Sequence, residues 1–102
     1  MIINLQNFTI NTAPIDKMVF YQELNLISFE TKREIFQGQI QLHLRFETPD
    51  TAAICYDLIQ SAIGKKLDTV DIPFSALSWP TELAEEIVKK DRTFPVVEYR
   101  YF

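Results

Sequence analysis

The chain has 102 residues, of which 47% are hydrophobic, and its formal net charge is −4 at pH 7. A chain of this length has room for one hydrophobic core, and its modest charge argues against disorder, so we expect a single domain over residues 1–102. The single cysteine excludes an internal disulfide, and one cysteine with one histidine cannot form a zinc site from protein ligands alone.

The sequence also limits the cellular setting and the partners. The first residues lack a basic start followed by an apolar run, so we expect no signal peptide, and no apolar stretch approaches the ~20 residues that span a membrane. We therefore expect a cytoplasmic protein without membrane contact. Fourteen Asp and Glu residues against ten Lys and Arg residues argue against a nucleic-acid backbone as the partner.

The residue pattern of the N-terminal third of the chain predicts two strands. The pattern of residues 2–10 predicts the first strand, in which the apolar positions change parity near Gln6 and Asn7, and this change indicates either a bulge or a switch of face. Residues 11–17 predict a loop. Residues 18–29 predict a second strand, rich in aromatic and branched residues, whose apolar positions also change parity along its length.

Residues 35–47 show the clearest pattern in the chain, a strict alternation of apolar and polar residues. Side chains on a strand point to opposite faces with a period of two, so this segment has one apolar and one polar face. We expect a long third strand that pairs with residues 18–29 across a turn at 31–33 and is open to water on its polar face. That face carries Gln37, Gln39, Gln41 and His43.

Residues 48–64 predict a helix. Thr48 is a helix-capping residue, Pro49 suits the first helical position, and Asp50 favours the positive end of the helix dipole. Apolar residues then recur at three- and four-residue spacing, which predicts that one face of the helix packs on the sheet. We expect Gly64 to end the helix as its C-terminal cap. The apolar stripe consists of Ala52, Cys55, Tyr56, Ile59, Ala62 and Ile63.

The last third predicts one more helix and one more strand. Residues 67–72 give only thin support for a short strand, and residues 73–80 predict a loop. Residues 81–90 predict a second helix with oppositely charged residues at i,i+4 spacing, and residues 96–102 predict a last strand. The predicted order is β-β-β-α-(β)-α-β. It is an α+β fold in which two helices pack on one face of a twisted antiparallel sheet, formed by a three-stranded meander plus the C-terminal strand.

No group of residues in the sequence predicts a catalytic, cofactor or metal site. A nucleophilic thiol needs a base within reach. Cys55 lies on the apolar stripe of the predicted helix and His43 on the polar face of the predicted sheet, so we expect them on opposite sides of it. The two glycines of the chain cannot form a phosphate-binding loop of the known types.

Three groups of residues are candidates for an interaction surface. Trp79 lies in a predicted apolar loop, and tryptophan is enriched at the energetically important positions of protein interfaces, although a position at the edge of the core is its commoner role. The glutamine-rich polar face of residues 35–47 suits a wet interface, because uncharged groups are desolvated at modest cost. The third group is the C-terminal segment, where Tyr99 and Tyr101 flank Arg100.

The leading hypothesis is a small non-enzymatic protein that binds another protein as an accessory, inhibitor or adaptor, or that forms a homodimer through a sheet edge. Two alternatives stay open. One is a single-stranded nucleic-acid binder that uses Tyr99, Arg100 and Tyr101 as a stacking platform. The other is an enzyme or a small-molecule-binding domain with a pocket between sheet and helices.

Overall fold

Two antiparallel hairpins and one helix form the frame of the part of the chain that the structure describes. The computed structural model describes residues 1–13, 15–30, 41–79 and 97–102. Its elements are, in chain order, β1 (Ile2–Asn4), β2 (Thr9–Asn11), β3 (Lys17–Tyr21), a single 3-10 turn (Gln22–Leu24), β4 (Leu26–Glu30), β5 (Gln41–Arg45), α1 (Pro49–Gly64), β6 (Thr69–Asp71), β7 (Leu77–Trp79) and β8 (Val97–Tyr101).

The first predicted strand is instead a hairpin. β1 and β2 pair antiparallel with Ile3 opposite Ile10. The chain reverses between them, where the Leu5 N–H donates to the Phe8 carbonyl at 2.9 Å. The prediction of one strand over residues 2–10 with a bulge is therefore wrong. A tight turn interrupts the alternation of apolar residues just as a bulge does, so the parity change marks the turn.

The second predicted strand also contains a turn. β3 and β4 pair antiparallel with Val19 opposite Ser28. Between them Asn25 takes the left-handed conformation with a φ of 53°, which asparagine adopts at lower cost than most residues. The predicted pairing of residues 18–29 with residues 35–47 is therefore right for β4, which pairs with β5, and wrong for β3, which pairs with β4 instead.

The described strands form two sheets rather than one. The larger sheet has five antiparallel strands in the order β7-β5-β4-β3-β8, and the smaller sheet has three in the order β2-β1-β6. Residues 69–71 form the short strand that the sequence supports only thinly, but β6 pairs parallel with β1, outside the larger sheet. The prediction of a loop over residues 73–80 is wrong at residues 77–79, where β7 pairs with β5.

One face of the larger sheet carries the main core, and α1 contributes its apolar stripe to that core. The ring centroids of Phe20 on β3 and Tyr56 on α1 are 4.9 Å apart, a distance at which aromatic rings attract each other beyond simple burial. The sheet residues of this core include Met18, Phe20, Ile27, Phe29 and Leu44. The helix residues that are buried are Ala52, Cys55, Tyr56, Ile59 and Ala62. The predicted apolar stripe is thus confirmed at these positions.

The start of α1 is the one that the sequence predicts. The Thr48 hydroxyl accepts the Thr51 N–H at 3.2 Å, which satisfies one of the N–H groups that have no partner within the helix. Pro49 occupies the first helical position, where its missing N–H costs nothing.

The end of α1 differs from the prediction. The helix continues through Gly64 and its C-cap is Lys65, so the expected cap at Gly64 is wrong. Lys66 then takes the left-handed conformation with a φ of 55°. The Leu67 N–H donates back to the Ala62 carbonyl at 3.0 Å, and this bond closes the last turn. A lysine therefore occupies the position at which glycine is most favourable.

The described residues form an α+β fold with antiparallel pairing in both sheets and one helix. The predicted second helix over residues 81–90 and the predicted turn at 31–33 lie outside the described residues. Within the described ranges, no helix has the length and the apolar character needed to cross a membrane.

We expect the Lys66→Gly variant to be more stable than the wild type by about 1 kcal/mol, because glycine adopts the left-handed conformation without the clash of a Cβ atom. Denaturant unfolding followed by circular dichroism measures the change. Lys65→Gly is the matched control: Lys65 has a φ of −87°, so glycine there gains no relief and should lower the stability by giving the unfolded chain more freedom. Equal changes in the two variants would contradict this account.

Candidate interaction surface

β8 ends the larger sheet among the described strands, with β3 as its neighbour. The two strands pair antiparallel, and just beyond β8 the Phe102 N–H donates to the Asp16 carbonyl at 2.8 Å. Hydrogen-bonded and non-hydrogen-bonded pairs alternate along an antiparallel ladder. The residues of β8 that bond to β3 are therefore the even-numbered ones. The backbone N–H and C=O groups of Val97, Tyr99 and Tyr101 point away from β3.

Tyr99 and Tyr101 present exposed side chains on one face of β8. The two residues are 62% and 57% exposed, and their ring centroids are 5.8 Å apart with the ring planes at 84°. The Lys17 ammonium nitrogen lies 5.9 Å from the centre of the Tyr99 ring, within the range of cation–π attraction. Lys17, Tyr99 and Tyr101 are together termed the tyrosine patch.

A carboxylate on the neighbouring strand holds the positive charge of the tyrosine patch in place. Lys17 on β3 lies opposite Glu30 on β4, and the Lys17 Nζ atom is 3.1 Å from a Glu30 carboxylate oxygen. The hydrogen bond to Glu30, together with the negative charge of that carboxylate, raises the pKa of Lys17 above its ordinary value. Desolvation lowers this pKa, but by less than the hydrogen bond raises it. The patch therefore keeps a cation beside the Tyr99 ring at neutral pH.

Glu98 and Arg100 lie on the opposite face of β8 from the tyrosines, because successive strand residues alternate between faces. The Gln22 side-chain amide donates to a Glu98 carboxylate oxygen at 3.1 Å. No carboxylate of the described residues lies within ion-pair distance of Arg100. The structure thus separates Arg100 from Tyr99 and Tyr101, although the three residues are consecutive in the sequence.

His43 is buried, which contradicts its expected place on a solvated face. It is 6% exposed, and its Nδ1 atom is 2.7 Å from the hydroxyl oxygen of Ser28, the residue opposite it on β4. Val19 and Leu26 point to the same face of the sheet and are also buried, at 6% and 1% exposed. The prediction fails because it considers the polar residues of one strand without the apolar residues that β3 and β4 add to that face.

The remaining candidate residues lie apart from the tyrosine patch. Trp79 is on β7, at the other end of the five-stranded sheet from β8. Gln41 on β5 lies opposite Glu30, and Gln37 and Gln39 lie outside the described residues. Trp79 and the tyrosine patch therefore belong to different edges of the sheet. A partner strand that adds to β8 would not reach both.

A cleft of ≈ 410 Å³ lies beside the end of β5, and no sequence pattern singled it out. Its volume falls within the roughly 300–1,000 Å³ of small-molecule sites, so a ligand-binding alternative would use it. The Asn7 side-chain amide donates to the Ala76 carbonyl at 2.7 Å and accepts the Ala76 N–H at 3.3 Å, so both of its polar atoms serve the structure. The cleft is lined by Asn7, Arg45, Phe46, Glu47, Ser75, Ala76 and Leu77.

Cys55 is fully buried in the core, as its place on the apolar stripe predicts. Burial raises the pKa of its thiol to about 12, so the thiol is neutral at physiological pH. The residues of β5 alternate between faces, and the neighbour of His43, Leu44, belongs to the core that contains Cys55. Cys55 and His43 therefore lie on opposite sides of the sheet, as expected. Within the described ranges, no three His, Cys, Asp or Glu residues cluster closely enough to hold a metal ion.

No protein-family model, no curated protein and no solved structure matches this chain. The function is therefore inferred from the chain's own residues, chiefly those of β8 and the tyrosine patch.

We expect the free energy of unfolding to fall as the pH rises above 9, in part because of Cys55. Burial raises the pKa of this thiol from its ordinary value of 9.0 to about 12. Between these values the native state binds more protons than the unfolded state, so this group lowers the free energy of unfolding by up to about 1.4 kcal/mol per pH unit. Burial also raises the pKa values of Tyr21 and Tyr56, which act in the same direction.

The Cys55→Ala variant isolates the contribution of the thiol. Urea unfolding of the wild type and the variant from pH 8 to pH 10.5 should show a less steep decline for Cys55→Ala, because the tyrosine contributions are common to both proteins. Parallel curves would contradict a strongly raised thiol pKa.

Proposed function

We propose that the protein is a non-enzymatic interaction protein, an accessory, inhibitor or adaptor, which binds an extended segment of another protein chain along β8. One observation carries the proposal: the backbone N–H and C=O groups of Tyr99 point outward from a strand that ends the described sheet. An extended segment can hydrogen-bond to such an edge by adding one more strand to the sheet.

The side chains of β8 suit a binding edge. Proteins commonly protect sheet edges from other chains with lysine, proline or bulges along the edge strand. β8 carries its charged residues on one face only, and its other face presents Tyr99 and Tyr101, both more than half exposed. Tyrosine is enriched at protein interfaces, because its ring buries a large apolar area while its hydroxyl still forms hydrogen bonds.

The environment of Cys55 argues against catalysis by this thiol. A cysteine nucleophile reacts as the thiolate, and its site stabilises that form. Burial instead raises the pKa of Cys55 to about 12, so this thiol is a small apolar core residue.

We expect a photoreactive benzoylphenylalanine in place of Tyr99 to cross-link to a protein in an extract of the native cell, because a strand added along β8 passes within reach of this side chain. The same probe in place of Ile54 is the matched control, since Ile54 is 46% exposed but lies on α1. Mass spectrometry identifies the adducts. Equal yields at the two positions would refute the proposal. So would the absence of any adduct at Tyr99, both in the extract and in the purified protein at high concentration.

A proline at position 99 tests the backbone contribution separately. Tyr99→Pro removes the outward N–H and leaves the hydrogen bonds between β8 and β3 intact, as proline does on edge strands. With the photoreactive residue moved to Tyr101, the adduct should be lost in Tyr99→Pro and retained in Tyr99→Phe, which keeps the N–H. Retention in both variants would show that the partner does not bind by strand addition.

Binding of single-stranded nucleic acid is a second candidate, favoured by the Lys17 ammonium above the Tyr99 ring. Bases stack on tyrosine rings, and lysine neutralises phosphates. The perpendicular planes of the Tyr99 and Tyr101 rings and the net charge of −4 favour a protein partner instead. Labelled oligonucleotides at low salt distinguish the two. Salt-dependent binding that disappears when Tyr99 and Tyr101 are both changed to Ala would establish the second candidate, and no binding would remove it.

A further inference from the structure

We infer that β8 pairs with β8 of a second copy of this chain, antiparallel and about a two-fold axis at Tyr99, so that the larger sheets of the two copies join into one. The inference rests on the proposed function of β8 and names its partner. It depends on two properties of the strand: the hydrogen-bonding phase of its backbone and the order of its charges.

The phase of the ladder limits how two copies of β8 pair. The outward backbone groups of β8 belong to its odd-numbered residues, as the Phe102 to Asp16 hydrogen bond and the β3–β8 register require. An antiparallel self-pairing must therefore match odd-numbered residues of one copy with odd-numbered residues of the other. With the axis at Tyr99, Tyr99 of one copy lies opposite Tyr99 of the other, and Val97 of each copy lies opposite Tyr101 of the other.

The same register brings opposite charges together twice. Glu98 of each copy lies directly opposite Arg100 of the other, at a non-hydrogen-bonded position where the Cα atoms of an antiparallel pair are about 4.5 Å apart. Glu98 is exposed and Arg100 is partly exposed, and both occupy the same face of β8. Opposite charges at such positions stabilise strand pairing. Each Arg100 would gain a carboxylate partner that the described residues of its own chain do not supply.

The neighbouring registers place like charges together. Moving the axis by one residue to Glu98 sets the two Glu98 carboxylates opposite each other, and moving it to Arg100 does the same to the two guanidinium groups. Both shifted registers satisfy the hydrogen-bonding phase. The register at Tyr99 is therefore favoured over them by its charge pairs. This self-complementary pattern favours a second copy over an unrelated strand. A two-fold pairing also closes on itself, so the product is a dimer rather than a filament.

A charge-swap series measured by sedimentation equilibrium tests the register. Glu98→Arg and Arg100→Glu each place like charges opposite each other in both cross-strand pairs, so each variant should dimerise at least about tenfold more weakly than the wild type. The double variant Glu98→Arg/Arg100→Glu should recover the wild-type constant. An equimolar mixture of the two single variants should form a heterodimer of similar strength, because opposite charges face each other again.

Asp57→Arg is the matched control for Glu98→Arg. It changes the net charge by the same amount at an exposed position on α1, so it should leave the dimer unchanged. A dimer that the charge swaps at positions 98 and 100 do not weaken, or that Asp57→Arg weakens equally, would overturn the inference.

Amide hydrogen exchange of the wild type provides a readout that needs no variant. The Tyr99 N–H should exchange more slowly as the protein concentration rises, because the second copy accepts it. The Arg100 N–H, which bonds to β3, should be protected at every concentration. A wild type that is monomeric at all concentrations would overturn the inference. If a photoreactive residue at position 99 of this monomer still cross-links to another protein, the proposed function stands. If it cross-links to nothing, both the proposed function and the inferred dimer are refuted.

Discussion

The pairing of β3 with β4 is the constraint on which the larger sheet depends. The left-handed Asn25 allows the chain to reverse within a few residues and brings Val19 opposite Ser28. In this register Phe20 and Ile27 point to the face that packs against α1, and Val19 and Ser28 point to the other. Because side chains alternate along a strand, a slip of one residue would exchange the two faces and remove the aromatic and branched side chains from the core.

The same register determines what β8 presents to other molecules. β3 shares its ladder with β4 on one side and β8 on the other, so its hydrogen-bonding phase decides which backbone groups of β8 point outward. It also sets the tyrosines on one face and Glu98 and Arg100 on the other. The packing of apolar residues in the middle of the sheet fixes the β3–β4 register, and this register determines which groups β8 exposes at the edge. In the dimer we infer, the backbone phase admits several registers and the charges select one of them.

Two changes of parity in the apolar pattern carry more information about this fold than its longest alternating segment. Each marks a place where the chain reverses, at residues 5–8 and at residues 22–25. Periodicity within a single segment does not distinguish a bulge from a tight turn, since both interrupt the alternation. Asn25 was the available signal, because asparagine is common in tight turns. The wrong prediction of a solvated His43 has the same origin. Only the β3–β4 hairpin places the buried residues Val19 and Leu26 on the same face of the sheet as His43.

Features that depend on neighbours along the chain followed from sequence alone. They are the start of α1 after Thr48, the burial of Cys55 on its apolar stripe, and a C-terminal strand, predicted over residues 96–102 and observed at Val97–Tyr101. Capping and helical periodicity act within a few residues, so a local pattern is enough to predict them. Long-range pairing settled the burial of His43, the place of β8 at the end of the described sheet, and the outward direction of the Tyr99 backbone. That direction depends on the pairing of Tyr99 with Val19, which is far away in the chain. Alternation tells which side chains share a face, but neither which strand lies alongside nor in which hydrogen-bonding phase the two strands meet.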